Sequence, residues 1–388
     1  MKWPRVFLFV VLALAVTAPG AAWGQGGSRY RPSEPGSVII FPKFVTGTLS
    51  DTDGTTLPRS AFEISAVCPP GAPLTNLFCT DTTGKPKDVW IRFKWICPPS
   101  ATSNPKYCAE TNFQLKTTIN GTLFINPENV LPPTGVDPLV TPPPCPQGFL
   151  IGWVIDGPLT RQPIAFNGLF GDAVLRLGDD STHVMAYNAV TIQAVNNLAV
   201  GAPIPNSGSG SFTDLPFNGT TDYRIATSAL FGNVRYEDAN TRTFITLVAL
   251  NTDAASTQNA DNLIDFQFYN ENEDVASGGI DLICWTEVEL TTINPGLTTT
   301  GMQGLKGMVR IENKQAVNPD LGRAIVGLVD TLETIPGTSS VRGYAQSLYV
   351  DRSTTDSTEF SDPPLVPPLP APVPLSAPPS LVPPLPLP

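Results

Sequence analysis

Short β-forming runs separated by turn residues follow one another along most of this chain. The run D-V-W-I-R-F-K-W-I-C (88–97) alternates, so that Ile91, Phe93, Trp95 and Cys97 share one face of a strand. No window shows a sustained period of 3.6 residues, which an amphipathic helix would require. This pattern restricts the chain to the all-β class.

Other runs extend the same pattern into the second half of the chain. Residues 243–250 are apolar on both faces, which predicts a central strand. In I-D-F-Q-F-Y, the residues Ile264, Phe266 and Phe268 are expected to point inward. The first run, 36–47, contains a proline, which favours an edge strand. These features are typical of sheets that are buried on at least one face.

Turn residues and a proline-rich stretch suggest how the strands are grouped. Asn120-Gly121 lies between two β-forming runs and predicts a hairpin. We therefore expect a β-sandwich or jelly-roll-like body over residues 25–360, built as one large or two closely packed sandwiches. The stretch 132–146 is rich in proline and is either a sub-boundary between two units or a long crossing loop.

Six cysteines are the second constraint on the fold. Two stretches, V-C-P-P-G-A-P-L-T-N-L-F-C and I-C-P-P-S-A-T-S-N-P-K-Y-C, share the same cysteine spacing. Zinc sites usually have closer cysteines or several histidines, whereas this chain has one histidine. In an exported chain this cysteine content favours disulfides. The candidates are Cys68, Cys79, Cys97, Cys108, Cys145 and Cys284.

Spacing alone leaves the disulfide pairing open. The preferred pairing is Cys68–Cys79, Cys97–Cys108 and Cys145–Cys284. Its first two bonds would close short proline-rich loops at strand ends. The main alternative joins the two matching loops to each other, through Cys68–Cys97 and Cys79–Cys108.

The first 24 residues have the three parts of a secretory signal peptide. Lys2 and Arg5 precede an apolar stretch at 6–16, and the small residues Ala22 and Gly24 occupy the positions expected before a cleavage site. No other run is long and apolar enough to predict a transmembrane helix. We therefore expect a protein that is secreted or displayed at the cell surface.

The chain ends in a proline-rich segment, residues 361–388. Pro363 to Pro388 contains 13 prolines in 26 residues and no charged residue. Such a composition predicts a polyproline II tail that does not pack into a core. The tail would act as a semi-rigid spacer or as an attachment ligand, or it would have no partner.

The charge balance narrows the range of partners. The chain has 23 basic and 34 acidic residues and a formal net charge of −11. This excess of acidic residues argues against nucleic acid as a partner and against electrostatic binding to anionic lipid.

Catalytic residues are not evident. A nucleophilic triad would need His183, the only histidine, which we interpret as a surface residue. Glu287 and Glu289 lie on one face of a strand and are the residues that a two-carboxylate hydrolase would use. A solvated strand face explains them more simply, so we predict no catalytic site.

Calcium is the one cofactor that the sequence suggests. Glu271, Glu273 and Asp274 are crowded into a strand connection, where carboxylates could coordinate calcium or simply face solvent. Asp51 and Asp53 precede a glycine as in the start of a calcium-binding loop, although an ordinary turn is the simpler explanation for them.

Two sequons, at Asn120 and Asn218, are candidate glycosylation sites. Both are also Asn-Gly dipeptides, and a turn is the simpler reason for them. Glycosylation of either residue would depend on the compartment and on the host.

The composition of the exported chain resembles that of bacterial surface proteins of the S-layer type: acidic, rich in threonine, and poor in lysine and sulfur. The motifs F-P-K-F and C-W-T-E, with the paired C-P-P loops, are also similar to uncharacterised secreted proteins of Gram-negative bacteria, a family that implies no activity.

These resemblances imply a non-enzymatic structural protein that self-associates at the cell surface. Sheet edges and calcium-bridged acidic loops would make the contacts. The alternatives are an adhesin that binds a glycan, a protein or another cell-envelope partner, and a secreted glycoside hydrolase.

Overall fold

Twenty strands and one helical turn make up the described part of the chain. The structure, a computed structural model, describes residues 34–50, 53–69, 79–99, 108–128, 140–177, 184–195, 198–208, 214–224, 228–250, 262–314, 324–337 and 341–350. The predicted signal peptide, the proline-rich tail and His183 lie outside the described residues.

The strands fall into two groups along the chain. Those of the first half are β1 (Val38–Val45), β2 (Thr48–Ser50), β3 (Thr56–Pro58), β4 (Ser60–Ala66), β5 (Asp88–Cys97), β6 (Ala109–Thr118), β7 (Gly121–Ile125), β8 (Gln147–Ile155), β9 (Leu169–Leu175), β10 (Met185–Asn188) and β11 (Val190–Ile192). Those of the second half, with the helical turn α1, are β12 (Ala229–Arg235), β13 (Thr241–Ala249), β14 (Asn262–Asn270), β15 (Val275–Leu282), β16 (Trp285–Glu289), α1 (Leu290–Ile293), β17 (Lys306–Asn313), β18 (Ile325–Thr334), β19 (Val341–Ser347) and β20 (Tyr349–Val350).

Four antiparallel sheets are formed from these strands, beside the small β2–β3 ribbon. The first half forms sheet 1, with strand order β11-β1-β8-β5-β6, and sheet 2, with strand order β10-β9-β4-β7. The second half forms sheet 3, β15-β14-β17-β12-β20, and sheet 4, β16-β13-β18-β19. The all-β prediction is confirmed, in the form of two closely packed sandwiches.

Each sandwich encloses its own apolar core. In the first, Phe41, Trp95 and Leu150 of sheet 1 pack with Phe62 and Leu175 of sheet 2. In the second, Ile264, Phe266, Phe268 and Ile311 of sheet 3 meet side chains of sheet 4 such as Ile245. The inward positions predicted for Ile264, Phe266 and Phe268 are therefore confirmed, and β13 is central, as predicted, between β16 and β18.

A third apolar cluster joins the two sandwiches. Ile40, Ile151 and Trp153 on the outer face of sheet 1 share it with Trp285 and Val326 of sheet 4. Sheet 1 is thus buried on both faces, which explains why β8 reads as a continuous apolar run.

The stretch 132–146 does not connect the two sandwiches, because the chain crosses between them at a later point. Both β7 and β8, which flank that stretch, belong to the first sandwich, and the chain enters the second sandwich only between β11 and β12. The described part of the stretch, 140–146, is therefore a connection inside the first sandwich.

The Asn120-Gly121 turn does not make the predicted hairpin. Asn120 has a φ of 63°, as expected for such a turn. However, β6 pairs with β5 in sheet 1, whereas β7 pairs with β4 in sheet 2. The amide of Asn120 donates to Ala66 and that of Ile119 to Lys87, so the turn carries the chain from one sheet to the other.

All six cysteines are paired, and the preferred pairing was right for Cys68–Cys79 only. The predictions Cys97–Cys108 and Cys145–Cys284 were wrong, because the structure shows Cys97–Cys145 and Cys108–Cys284. The alternative pairing of the two loops was wrong as well.

The alternation of the strands explains the observed pairing. Cys97 is opposite Ala109 in the β5–β6 register, so the neighbouring Cys108 lies on the other face of the sheet. Cys145 packs against the core of the first sandwich, on the face that Cys97 shares. Cys108 belongs to the cluster between the sandwiches, together with Cys284. The Cys108–Cys284 bond therefore joins the two halves covalently.

Candidate functional site

Lys43 enters the space between the sandwiches because of an irregularity in β1. The register of β1 against β8 shifts between Phe41 and Phe44, which marks a β-bulge at Pro42 and Lys43. Pairing with β11 covers only 38–40, so Pro42 has no neighbour on that side and removes no ladder hydrogen bond there. The extra residue keeps both phenylalanines in the core of the first sandwich and aims the lysine elsewhere.

The ammonium group of Lys43 meets two carboxylates of sheet 4. Its Nζ is 3.0 Å from both Oδ1 and Oδ2 of Asp330 and also donates to Oε1 of Glu287. The side chains of Lys43 and Asp330 are 2% and 0% exposed, and that of Glu287 is 15% exposed. We call these three residues the Lys43 cluster.

The protonation of the Lys43 cluster reflects burial and mutual attraction. Burial raises the pKa of Asp330, Lys43 opposes that rise and Glu287 adds to it, with a resulting pKa of about 6. Burial acts to lower the pKa of Lys43, but the attraction of Asp330 and Glu287 is stronger, and the net effect raises this pKa. Lys43 therefore keeps its proton to a higher pH than an ordinary lysine does. Asp330 takes up a proton at a higher pH than an ordinary aspartate does.

The backbone around Lys43 is fixed by two aromatic side chains. The indole Nε1 of Trp285 donates to the carbonyl of Pro42 at 2.8 Å. The hydroxyl of Tyr187 donates to the carbonyl of Lys43, and burial raises the pKa of this hydroxyl far above its usual range. The Phe244 ring lies 5.8 Å from Nζ. The motifs F-P-K-F and C-W-T-E therefore meet at this cluster.

Only one member of the Lys43 cluster is a candidate from the sequence. The sequence points to Glu287, together with Glu289, but not to Lys43 or Asp330. The signal that could have identified Lys43 is a lysine between phenylalanines in a strongly apolar run. Glu289 lies apart from the cluster and accepts hydrogen bonds from Arg242 at 2.7 and 2.6 Å.

The acidic turn predicted to bind calcium is organised by its neighbour Asn270. Asp274 accepts a hydrogen bond from Nδ2 of Asn270 at 2.9 Å, and Glu273 occupies the left-handed region with a φ of 66°. Glu271 is 3.9 Å from Lys306. Within the described ranges, no group of three or more His, Cys, Asp or Glu side chains is arranged to hold a metal ion. Calcium binding stays a prediction.

The other predicted sites also lie at turns. Asp53 accepts from the amide of Thr55 in an ordinary turn, while Asp51 lies outside the described residues. The Nδ2 of Asn218 donates to Asp222 at 2.5 Å and to Thr221 at 3.0 Å, so the sequon amide is already used inside its loop. Glycosylation of Asn120 and Asn218 stays a prediction.

A groove opens at the end of the second sandwich where β12, β17, β18 and β19 come together. It has a volume of about 660 Å³, and its lining includes Arg235, Glu271, Leu305, Lys306 and Tyr344. Leu305 and Tyr344 are 63% and 54% exposed. An exposed aromatic ring beside charged side chains is a surface that a ligand could bind.

The comparisons with known proteins establish no family for this chain. No protein-family model matches the chain, and no curated protein matches it either. The crystal structure of the infectious bursal disease virus VP2 subviral particle aligns with a TM-score of 0.13 and 8% identity, over 83% of this chain and 73% of that chain. A score this low carries no argument about this chain. Among the described residues, no helix is long and apolar enough to cross a bilayer.

Proposed function

We propose that this chain is an extracellular, non-enzymatic structural protein that associates with copies of itself. Three disulfides are compatible with an extracellular location, since such bonds persist in oxidising compartments. The acidic, lysine-poor composition supports a surface role, and the double sandwich supplies a rigid body for it.

The observation that carries this proposal is the open edge at β15. Among the described strands, β15 pairs with β14 alone, is eight residues long, and has Asp281 as its one charged residue. Native proteins usually protect edge strands with charges, prolines or short length. Asn294 covers one backbone carbonyl, that of Ser277. The rest of this edge lacks the charges and prolines that usually protect an edge strand, which favours pairing with a strand of another chain.

The remaining sheet edges are better protected. Five are only two to five residues long: β7, β10, β11, β16 and β20. The longer β6 carries Glu110 and Lys116. The longer β19 carries Arg342 and lies against β10, where Ser347 donates to the carbonyl of Asn188 at 2.9 Å. Antiparallel pairing of β15 with its counterpart would continue sheet 3 across a twofold axis.

Sedimentation velocity of the full chain tests this proposal. We expect self-association in the wild type and at least a tenfold weaker association in the double variant Val275→Lys with Ser277→Lys, because like charges would face each other across the new strand pair. Leu263→Lys on the neighbouring β14 is the matched control, since it adds a charge to the same sheet away from the edge. A monomeric wild type, or a double variant that associates like the control, would contradict the β15 interface.

The groove beside Tyr344 favours a second candidate function, binding of a glycan or a protein at the surface. Its exposed ring and neighbouring charged groups suit a sugar face with hydroxyl groups at its edge. Glycan-array binding that Tyr344→Ala abolishes would support this function over self-association.

A further inference from the structure

We propose that Lys43 and Asp330 become joined by an intramolecular isopeptide bond, with Glu287 transferring the protons. The bond would connect β1 of the first sandwich to β18 of the second. This inference does not depend on the proposed self-association, because it concerns the interior of a single chain.

The geometry of the two reacting groups carries the proposal. Nζ of Lys43 is 3.0 Å from both oxygens of Asp330. Equal distances place the nitrogen on the plane that bisects the carboxyl group, within about 3.5 Å of Cγ. Two packed β-sheets hold the two residues together, and a tilt of the Asp330 carboxyl group turns its face toward the nitrogen for attack.

The third member of the cluster has the position that acid–base chemistry requires. Glu287 accepts a hydrogen bond from the same Nζ, and its neighbour Trp285 is tied to Pro42. A carboxylate in contact with the nucleophile can remove its proton during attack and return that proton to the leaving group.

The reaction balances within the cluster. One proton moves from the Lys43 ammonium to Asp330, which gives an amine beside a carboxylic acid, and the nitrogen lone pair then forms a bond to Cγ. Glu287 takes a second proton from the nitrogen and delivers it to the departing hydroxyl. The C–O bond breaks and water leaves, while Glu287 returns to its starting state. No oxidant, reductant or other reactant is needed.

Burial favours this outcome over a permanent ion pair. Lys43 and Asp330 are almost fully removed from solvent, where charged groups are costly to maintain. The raised pKa of Asp330, about 6, lowers the cost of protonating its carboxyl group, while the raised pKa of Lys43 opposes release of its proton and makes the transfer the demanding step. An amide replaces two buried charges by a neutral group, and the low exposure of the site restricts the water that would reverse the step.

Mass spectrometry of the full chain, purified in folded form, tests the proposal. After reduction of the disulfides, we expect an intact mass that is one water molecule lower than the mass calculated for the purified chain. A tryptic digest should contain a branched peptide that joins the Lys43 segment to the Asp330 segment, with no cleavage after Lys43. A chain with the full sequence mass and a free Lys43 would overturn the proposal.

Four variants assign the roles. Lys43→Arg should abolish the branched peptide, and Glu287→Gln should slow its appearance by about 100-fold or more. Asp330→Asn should still give the same amide product, because ammonia can leave in place of water. Lys94→Arg, at a second buried lysine that is paired with Glu110, should leave the bond intact. Equal cross-linking in Glu287→Gln and wild type would overturn the role of Glu287.

Discussion

At the scale of single residues, the Lys43 cluster joins charged groups that come from distant parts of the chain. Lys43 and Asp330 are separated by 287 positions in the sequence. The pattern of β1 indicates which residues are buried, but the bulge that redirects Lys43 depends on pairing with β8. For this reason the sequence suggested Glu287 as a notable carboxylate but did not pair it with Lys43 and Asp330.

Asp222 is a second buried charge, and it organises the connection between the sandwiches. It accepts hydrogen bonds from the amide and side chain of Asn206 and from the side chains of Asn218 and Thr221. Burial alone would raise the pKa of Asp222, but these hydrogen bonds are stronger together and hold the pKa below its usual value. The folded state therefore prefers the ionised form.

We predict that Asp222→Asn lowers the free energy of unfolding by about 2 kcal/mol at neutral pH, because the amide cannot accept all of these hydrogen bonds. A carboxyl with a lowered pKa stabilises the fold above its unfolded pKa of about 3.9, and this contribution is lost as the pH falls toward the folded value. Urea unfolding should therefore show a smaller difference between variant and wild type at pH about 3 than at pH about 7. The exposed Asp172→Asn serves as control, and a difference that is the same at both pH values would contradict the prediction.

At the scale of elements, strand identity was largely readable from the sequence. The alternation of β5 and β14 and the apolar run of β13 were interpreted correctly, because the pattern of a strand reflects which of its faces are buried. The connection at Asn120 was not, since the same turn residues serve a hairpin and a crossing between sheets. The strand that pairs with β7 is β4, and the sequence around the turn does not reveal this partner.

The crossing turn gives a prediction for Gly121. A Cβ atom at this residue would lie 2.6 Å from Oγ1 of Thr117 and 2.9 Å from the carbonyl oxygen of Thr118. We expect Gly121→Val to destabilise the fold by about 1–3 kcal/mol through overpacking. Asn120→Gly should be nearly neutral, because the φ of 63° suits glycine. Chemical denaturation of both variants checks this, and a valine variant as stable as wild type would show that the turn is not so tightly packed.

At the scale of the whole molecule, two sandwiches are fastened together by an apolar cluster, by the Lys43 cluster and by the Cys108–Cys284 bond. The sequence predicted two closely packed sandwiches as one of its alternatives, and disulfides as the state of the cysteines. It could not give the pairing of Cys108, because the face on which that residue lies follows from its register against Cys97. Such a braced body is compatible with the proposed role of a building unit outside the cell.

The central claim is that copies of this unit associate, and negative-stain electron microscopy of the purified full chain tests it most directly. Grids should be prepared with calcium and with a chelator, since calcium is the cofactor that the acidic turn at Glu271 suggests. We predict ordered assemblies in the wild type that are lost when Val275 and Ser277 are both replaced by lysine. Single, monodisperse particles of the wild type under both conditions would contradict the account.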